Sequence, residues 1–384
     1  MKTSQRLPVV LVLGSTQTLA WASSYYLPAI LGDAIAASLG IPPPWVFGAF
    51  SVSLLLAAML GPRVGRTIDR FGGRGVLAAS NLLFAAGLSA LGLAQGPTTL
   101  ATAWALLGVG MGLGLYDAAF AALGRIYGEQ ARRSITGITL LAGFASTIGW
   151  PLSAWGLAHF GWRETCFAWA AAHLFIGLPL NLFLLPRVSA GHEHNGSEKP
   201  HVPMDRNMWL LGLAFALAWT VTGAMAAHLP RLLESAGATA EQAIVAGMLI
   251  GPAQVAARIL EASLMARSHP LLSARLSTIT HPAGAALLAI FSGGIPAMAF
   301  AALHGFGNGI LTIARGTVPL AIYGPKNYGY RLGLLGAPAR IAQAIAPLAF
   351  VFLVDAIGAR TLIVSSALSL LALVCLAFVA KEHR

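Results

Sequence analysis

Asp117, Arg315 and Arg340 stand inside long uncharged runs of a 384-residue chain in which only 10% of residues are Asp, Glu, Lys or Arg. A charge at the centre of an apolar helix costs roughly 2.5 to 3.5 kcal/mol on insertion scales, so a residue kept there against that cost is a candidate for function. Arg315 and Arg340 can offer positive charge to an anionic or strongly dipolar solute, with Asp117 as counter-charge and proton acceptor. The structural alternative is a permanent ion pair in which Asp117 never titrates. Asp117 precedes Ile126, near a membrane boundary, by nine residues, which is about 14 Å at about 1.5 Å per residue. Arg340, nine residues beyond Arg331, reaches a similar depth, and Arg315, seven residues before Ile322, lies slightly shallower. Gln17, Tyr25, Tyr26, His228 and Asn308 are candidates to add hydrogen bonds around these charges. Tyr25, Tyr26 and His228 sit towards the ends of their runs, where such residues also serve as packing or interface groups. His173 and His304 carry less weight.

These side chains need membrane helices to position them. With 57% hydrophobic residues the chain reads as all-α and integral to a lipid bilayer, and a transmembrane helix takes about 20 mainly apolar residues. Twelve spans are expected, at 8–31, 45–62, 75–94, 98–122, 135–158 and 165–186, then 208–229, 243–262, 276–291, 295–318, 332–354 and 361–380. Gln254, Arg258, His281 and Pro282 interrupt the eighth and ninth. Lys2 and Arg6 ahead of the first run resemble a signal peptide, but no small-residue cleavage pattern follows, and the run is read as a retained helix. Only Arg163, Arg231 and Arg360 fall on the side opposite the amino terminus; apart from the two arginines within spans, the rest of the 24 lysines and arginines lie with that terminus. That asymmetry places both termini in the cytoplasm.

The net charge of +11 is spread over loops without an aromatic stacking patch, so nucleic acid is not expected as a partner. The two cysteines, Cys166 and Cys375, lie within spans and build neither a disulfide framework nor a metal cluster. The polar stretch 187–207, with His192, His194 and His201, reads as a solvated tether, not a metal site, and divides a first six-span bundle at 1–186 from a second at 208–384. No nucleophile with a base, metal spacing or phosphate loop is present, which argues against an enzyme and against a cofactor.

Two similar halves are also legible. Tyr26-Leu27-Pro28 matches His228-Leu229-Pro230, Gly61-Pro62 matches Gly251-Pro252, Gly108-x-Gly110-x-Gly112 matches Gly305-x-Gly307-x-Gly309, and Ile126-Tyr127-Gly128 matches Ile322-Tyr323-Gly324, at separations of 190 to 202. The alternate glycines through Gly114 read as close helix packing and not as a dinucleotide fingerprint, because no strand precedes them.

Between the second and third spans runs Gly65-Arg66-Thr67-Ile68-Asp69-Arg70-Phe71-Gly72-Gly73-Arg74. This segment resembles the Gly-x-x-x-Asp-Arg-x-Gly-x-Arg signature that joins helices 2 and 3 in transporters of the major facilitator superfamily. The resemblance implies two pseudo-symmetric six-helix bundles, with helices 4, 10 and 11 lining a central cavity. It gives Gly65, Asp69, Arg70, Gly72 and Arg74 a gating role, in which Asp69 latches the cytoplasmic side while one half rocks against the other. The chain departs from the family where Trp104 replaces a membrane arginine, and Gly143, Gly149, Pro151 and Gly156 only loosely resemble the antiporter pattern of helix 5. The expectation is a secondary transporter of an inner membrane that moves a small organic anion or polar metabolite by alternating access, with proton coupling as an option. A drug or metalloid exporter of the same fold is the alternative, and a non-transporting receptor the alternative of another class.

Overall fold

Proline and glycine punctuate the chain into helices. Pro43, Pro97 and Pro270 occupy first turns, where a missing N–H costs nothing. The structure is a computed structural model that describes residues 6–127, 131–187, 204–264, 268–323 and 328–380. Its helices are α1 (Arg6–Ala20), α2 (Pro28–Leu39), α3 (Pro43–Phe71), α4 (Gly73–Gly92), α5 (Pro97–Gly114), α6 (Tyr116–Tyr127), α7 (Ala131–Ala142), α8 (Ala145–Phe160) and α9 (Trp162–Ala172), then α10 (Arg206–Ser235), α11 (Ala240–Leu264), α12 (Pro270–Phe291), α13 (Gly294–Tyr323), α14 (Tyr328–Ile357) and α15 (Thr361–Ala377). Among the described residues there is no strand. Nine helical stretches among them are long and apolar enough to cross a membrane; one, Leu334–Ala377, runs through the 3₁₀ turn Gly358–Arg360 that parts α14 from α15.

Three expected spans are broken. The first is α1, a π-helical turn at Trp21–Tyr25 and then α2, which continues to Leu39. The fourth divides at Leu115, whose backbone is extended (ψ −172°) between α5 and α6. The fifth divides at Gly143 and Phe144, between α7 and α8. The segment read as a charged loop is mostly helix: α3 runs on to Phe71 and stops only at Gly72, where φ is +83°. That backbone region favours glycine.

The chain divides into two units, Met1–His194 and Asn195–Arg384. Most of the expected tether at 187–207, with its three histidines, lies outside the described residues. Within the first unit α5 packs on α3 and α4, α1 on α7, and α4 on α9; within the second, α13 packs on α11 and α12, α10 on α14, and α12 on α15. The two schemes are the same, and the glycines show their register. A Cβ added at Gly108 would stand 2.7 Å from the Ser53 carbonyl oxygen, and one at Gly305 would stand 2.7 Å from that of Ile250. Gly112 meets Ala57 as Gly309 meets Gln254, and Gly110 meets Leu83 as Gly307 meets Thr280. Every member of these pairs is separated from its counterpart by 197 positions. The backbones come this close only because no side chain intervenes.

Each unit closes on its own apolar core. Leu13, Ile68, Leu77, Leu123 and Ile138 are fully or almost fully buried in the first. Met208, Leu211, Phe215, Leu271 and Val318 play that part in the second. Phe175, Phe183 and Ile295 are instead largely exposed, as expected of a chain whose outer surface meets lipid.

Candidate functional site

In the second unit α13 carries Arg315 and α14 carries Arg340, one turn after Gly336 on the same helical face. The absent side chain at Gly336 opens a notch into which both guanidinium groups turn. A Cβ there would stand 3.2 Å from Arg315 Nη2 and 3.4 Å from Arg340 Nη2. Arg315 also lies over the ring of Trp219 on α10, 5.7 Å from its centroid, within the range of a cation–π contact. On the same faces, the Thr222 hydroxyl stands 3.3 Å from Asn308 Oδ1 and 3.1 Å from the Ala218 carbonyl, and can donate to either. Two planar forks, one aromatic face and a hydroxyl–amide pair suit a ligand with an oxyanion and a polar body. Trp219, Thr222 and Gly336 were not among the residues singled out from the sequence.

His228 has a different place. It is fully buried and its Nε2 lies 2.7 Å from the Pro347 carbonyl, which ties α10 to α14. On α11, Arg258 donates to Gln254 Oε1 at 3.4 Å, both side chains being buried.

In the first unit the breaks of the first and fourth spans meet. Because Leu115 is extended, the Ala118 N–H turns to the Leu115 carbonyl, and Gly114 loses its usual helical donor. Gln17 Nε2 replaces it, donating to the Gly114 carbonyl at 2.5 Å, while Gln17 Oε1 is buried without a hydrogen-bond partner among the described residues. One turn on, the Trp21 ring contacts Tyr116 and Tyr25, each at 4.9 Å, and Tyr26 contacts Trp150 at 6.1 Å. Trp150 Nε1 donates to the Tyr26 carbonyl at 3.2 Å. Tyr25 is therefore a packed residue, 3% exposed, within an aromatic cluster that braces the break. Asp117 is exposed and sits in the first turn of α6, where the helix end favours an anion. That gives its carboxylate a structural task beside any chemical one. Asp117 belongs to the first unit; Arg315 and Arg340 belong to the second.

Of the signature residues, Gly73 makes the close approach, meeting the side chain and Cα of Ala122 on α6, whereas a Cβ at Gly65 would meet nothing within 4 Å among the described residues. Gly72 is buried at the break. Arg74 Nη1 lies 3.5 Å from the Leu185 carbonyl. The side chains of Arg66, Asp69 and Arg70 lie outside the described residues. No group of three or more metal-ligating side chains occurs among the described residues.

An uncharacterized 38 kDa protein in the 23S RNA operon of Thermoproteus tenax is 28% identical to this chain over 325 residues, covering 84% of this chain and 82% of that protein. The crystal structure of a bacterial homolog of the human lysosomal transporter Spinster, in an inward-facing and occupied conformation, superposes with a TM-score of 0.68 at 14% identity, covering 99% of this chain and 95% of that one. At that identity the likeness establishes the fold. The model of the Major Facilitator Superfamily matches residues 13–295, and the chain belongs to that family as a multi-pass membrane protein and secondary transporter.

Proposed function

We propose that this transporter moves a small organic anion or polar metabolite by alternating access, and that Arg315 and Arg340 bind the anionic group beside Trp219. The observation that carries this reading is the convergence of two guanidinium groups over one glycine. Two like charges so placed in a medium of intermediate dielectric repel by a few kcal/mol. An oxyanion shared between the forks turns that repulsion into charge-assisted hydrogen bonding. Asn308 and Thr222 supply polar contacts to the rest of the cargo. Asp117 is the proton acceptor of this reading, and Asp69 acts in gating on the cytoplasmic side of an inner membrane, where both termini lie.

Counterflow in proteoliposomes tests the proposal, with mono- and dicarboxylates, phosphate esters, neutral solutes and cations offered at two pH values. Anion exchange that falls at least tenfold in Arg315→Gln and in Arg340→Gln supports it. Exchange of neutral or cationic solutes alone, or anion exchange indifferent to both arginines, overturns it. Saturable anion binding without flux would indicate a receptor instead. Asp117→Asn should abolish proton dependence while sparing exchange; an unchanged pH dependence removes Asp117 from the coupling role.

A further inference from the structure

In the second unit two histidines face each other inside the bundle. His281 of α12 and His304 of α13 approach with their Nδ1 atoms 3.1 Å apart, and His281 Nε2 lies 2.9 Å from Ser365 Oγ of α15. Ser365 Oγ is in turn 3.1 Å from the Leu362 carbonyl. The side chains are 3%, 6% and 0% exposed. The Phe300 ring closes the cluster, edge-on to His281 and stacked on His304.

We infer that His281 and His304 form a proton-binding site in the second unit, distinct from Asp117, whose occupancy changes during the transport cycle. The pattern of donors leads there. A neutral pair has two ring protons for four ring nitrogens, and two arrangements satisfy it. In one, the Ser365 hydroxyl donates to His281 Nε2 and His281 Nδ1–H donates to His304 Nδ1. In the other, His304 Nδ1–H donates to His281 Nδ1, His281 Nε2–H donates to Ser365 Oγ, and the hydroxyl donates to Leu362. A third proton enters the first arrangement at His281 Nε2, forming an N–H bond there while the hydroxyl hydrogen swings to the Leu362 carbonyl. It enters the second at His304 Nε2. In both, the Nδ1 contact and the bond to Ser365 survive, so uptake sacrifices no hydrogen bond. What opposes it is the cost of a charge in a dry interior. A conformation that wets this cluster therefore binds the proton, and a conformation that dries it releases the proton, so occupancy and conformation are linked.

Packing alone does not call for these residues. At the separation of 197 set by the glycine pairs, the first unit holds Phe84 and Leu107 in the same places. On α11, which packs against α13, Glu241 lies in the first turn and Glu261 accepts from Ser273 at 3.5 Å. Arg258 donates to Gln254, Arg275 to the carbonyls of Leu376 and Ala377, and Arg315 lies over Trp219. Cys375 is the titratable group of α15, two to three turns from Ser365.

The coupling role rests on the transport reading above; the binding of a proton does not. The test uses the full chain in lipid nanodiscs and compares proton uptake by the wild type with that of His281→Leu/His304→Leu, leucine being chosen at 281 because Phe300 stands where the first unit has Ala103. Titration between roughly pH 8 and pH 5, where histidines exchange protons, should show about one proton fewer bound per protein in the variant. The nitrogen-15 imidazole resonances of His281 and His304 should shift together. Equal uptake by both proteins, with resonances unmoved across that range, overturns the proposal. In proteoliposomes the variant should retain anion counterflow and lose uptake driven by a pH gradient; loss of neither also overturns the coupling role. Absence of anion counterflow in the wild type would sink the cargo reading while leaving the titration difference intact.

Discussion

Gly336→Ala separates a glycine kept for a ligand from one kept for packing. The added methyl would stand 3.2 Å from Arg315 Nη2 and 3.4 Å from Arg340 Nη2, and the atoms nearest to it are the tips of these two side chains. Both tips can yield by a few tenths of an ångström, so the fold loses little. An alanine inside α14 favours the helix over glycine by about 0.5–1 kcal/mol. The displaced forks, however, no longer converge on one oxyanion. Forfeiting one hydrogen bond to a charged group removes about 1.5–3 kcal/mol, which raises half-saturation roughly 10- to 100-fold at about 1.4 kcal/mol per decade. Thermal unfolding in detergent should therefore show equal or higher stability, while the concentration dependence of anion counterflow weakens. Gly305→Ala is the opposite control, because its methyl would meet the Ile250 carbonyl oxygen at 2.7 Å and its Cα at 2.8 Å, and backbone cannot step aside. An unchanged half-saturation in Gly336→Ala, or a loss of stability like that of Gly305→Ala, refutes the reasoning.

Gly108→Ala should lower the unfolding temperature about as much as Gly305→Ala, since the two methyls would meet counterpart backbone at the same 2.7 Å; a marked difference would break the equivalence of the units. Gln17→Leu strips the donor from the Gly114 carbonyl and should cost about 1–3 kcal/mol, seen as a lower unfolding midpoint. His228→Phe removes the bond to the Pro347 carbonyl and should lower stability with half-saturation unchanged; a weaker half-saturation at full stability would return His228 to the binding site. Asp69→Asn should cut turnover without removing anion binding, measured by counterflow beside direct binding, and lost binding at unchanged turnover per bound substrate would rule out gating.

The helices were legible because apolar runs of membrane length leave few other solutions, whereas Gly72 stood out only as part of the signature and not as the residue that ends α3. The breaks were not legible. Trp21-Ala22-Ser23-Ser24-Tyr25 contains no glycine or proline, yet it forms a π-helical turn whose cap bonds the Tyr26 N–H to the Trp21 carbonyl. Gly114 reads as one more small residue in a packing stripe, yet its carbonyl is what Gln17 holds, a tertiary bond that no spacing in the chain reveals. For the same reason Gln17 was read as a binding residue and His228 as a hydrogen-bonding candidate at a helix end. Arg315 and Arg340 stood out because charge is rare in an apolar run. Gly336 and Trp219 did not, since a glycine and a tryptophan are ordinary there.

The repeat itself separates packing from chemistry. Across the glycine seams the counterparts at 197 positions include Ser80 and Ser277, which are alike, but also Ala57 and Gln254, Gly61 and Arg258, Phe84 and His281, and Leu107 and His304. In these last four pairs the first unit builds the same helix contacts with apolar or absent side chains. At these four positions the shared helix contacts do not require polar groups, and the first unit buries its own histidine elsewhere, His173 stacked on Phe84 and bonded to Asn81 and Ser23. Arg258 donates to Gln254 within α11, and the histidines bond each other and Ser365. Cargo charge at Arg315 and proton exchange at His304 then fall on one helix, α13, with Arg340 supplied by α14 and His281 by α12. His304 and Arg315 lie eleven residues apart on α13, nearly the same face and about 16 Å along the axis. A shift of α13 that wets one end bears mechanically on the other, which makes that helix the element through which substrate and proton can be linked.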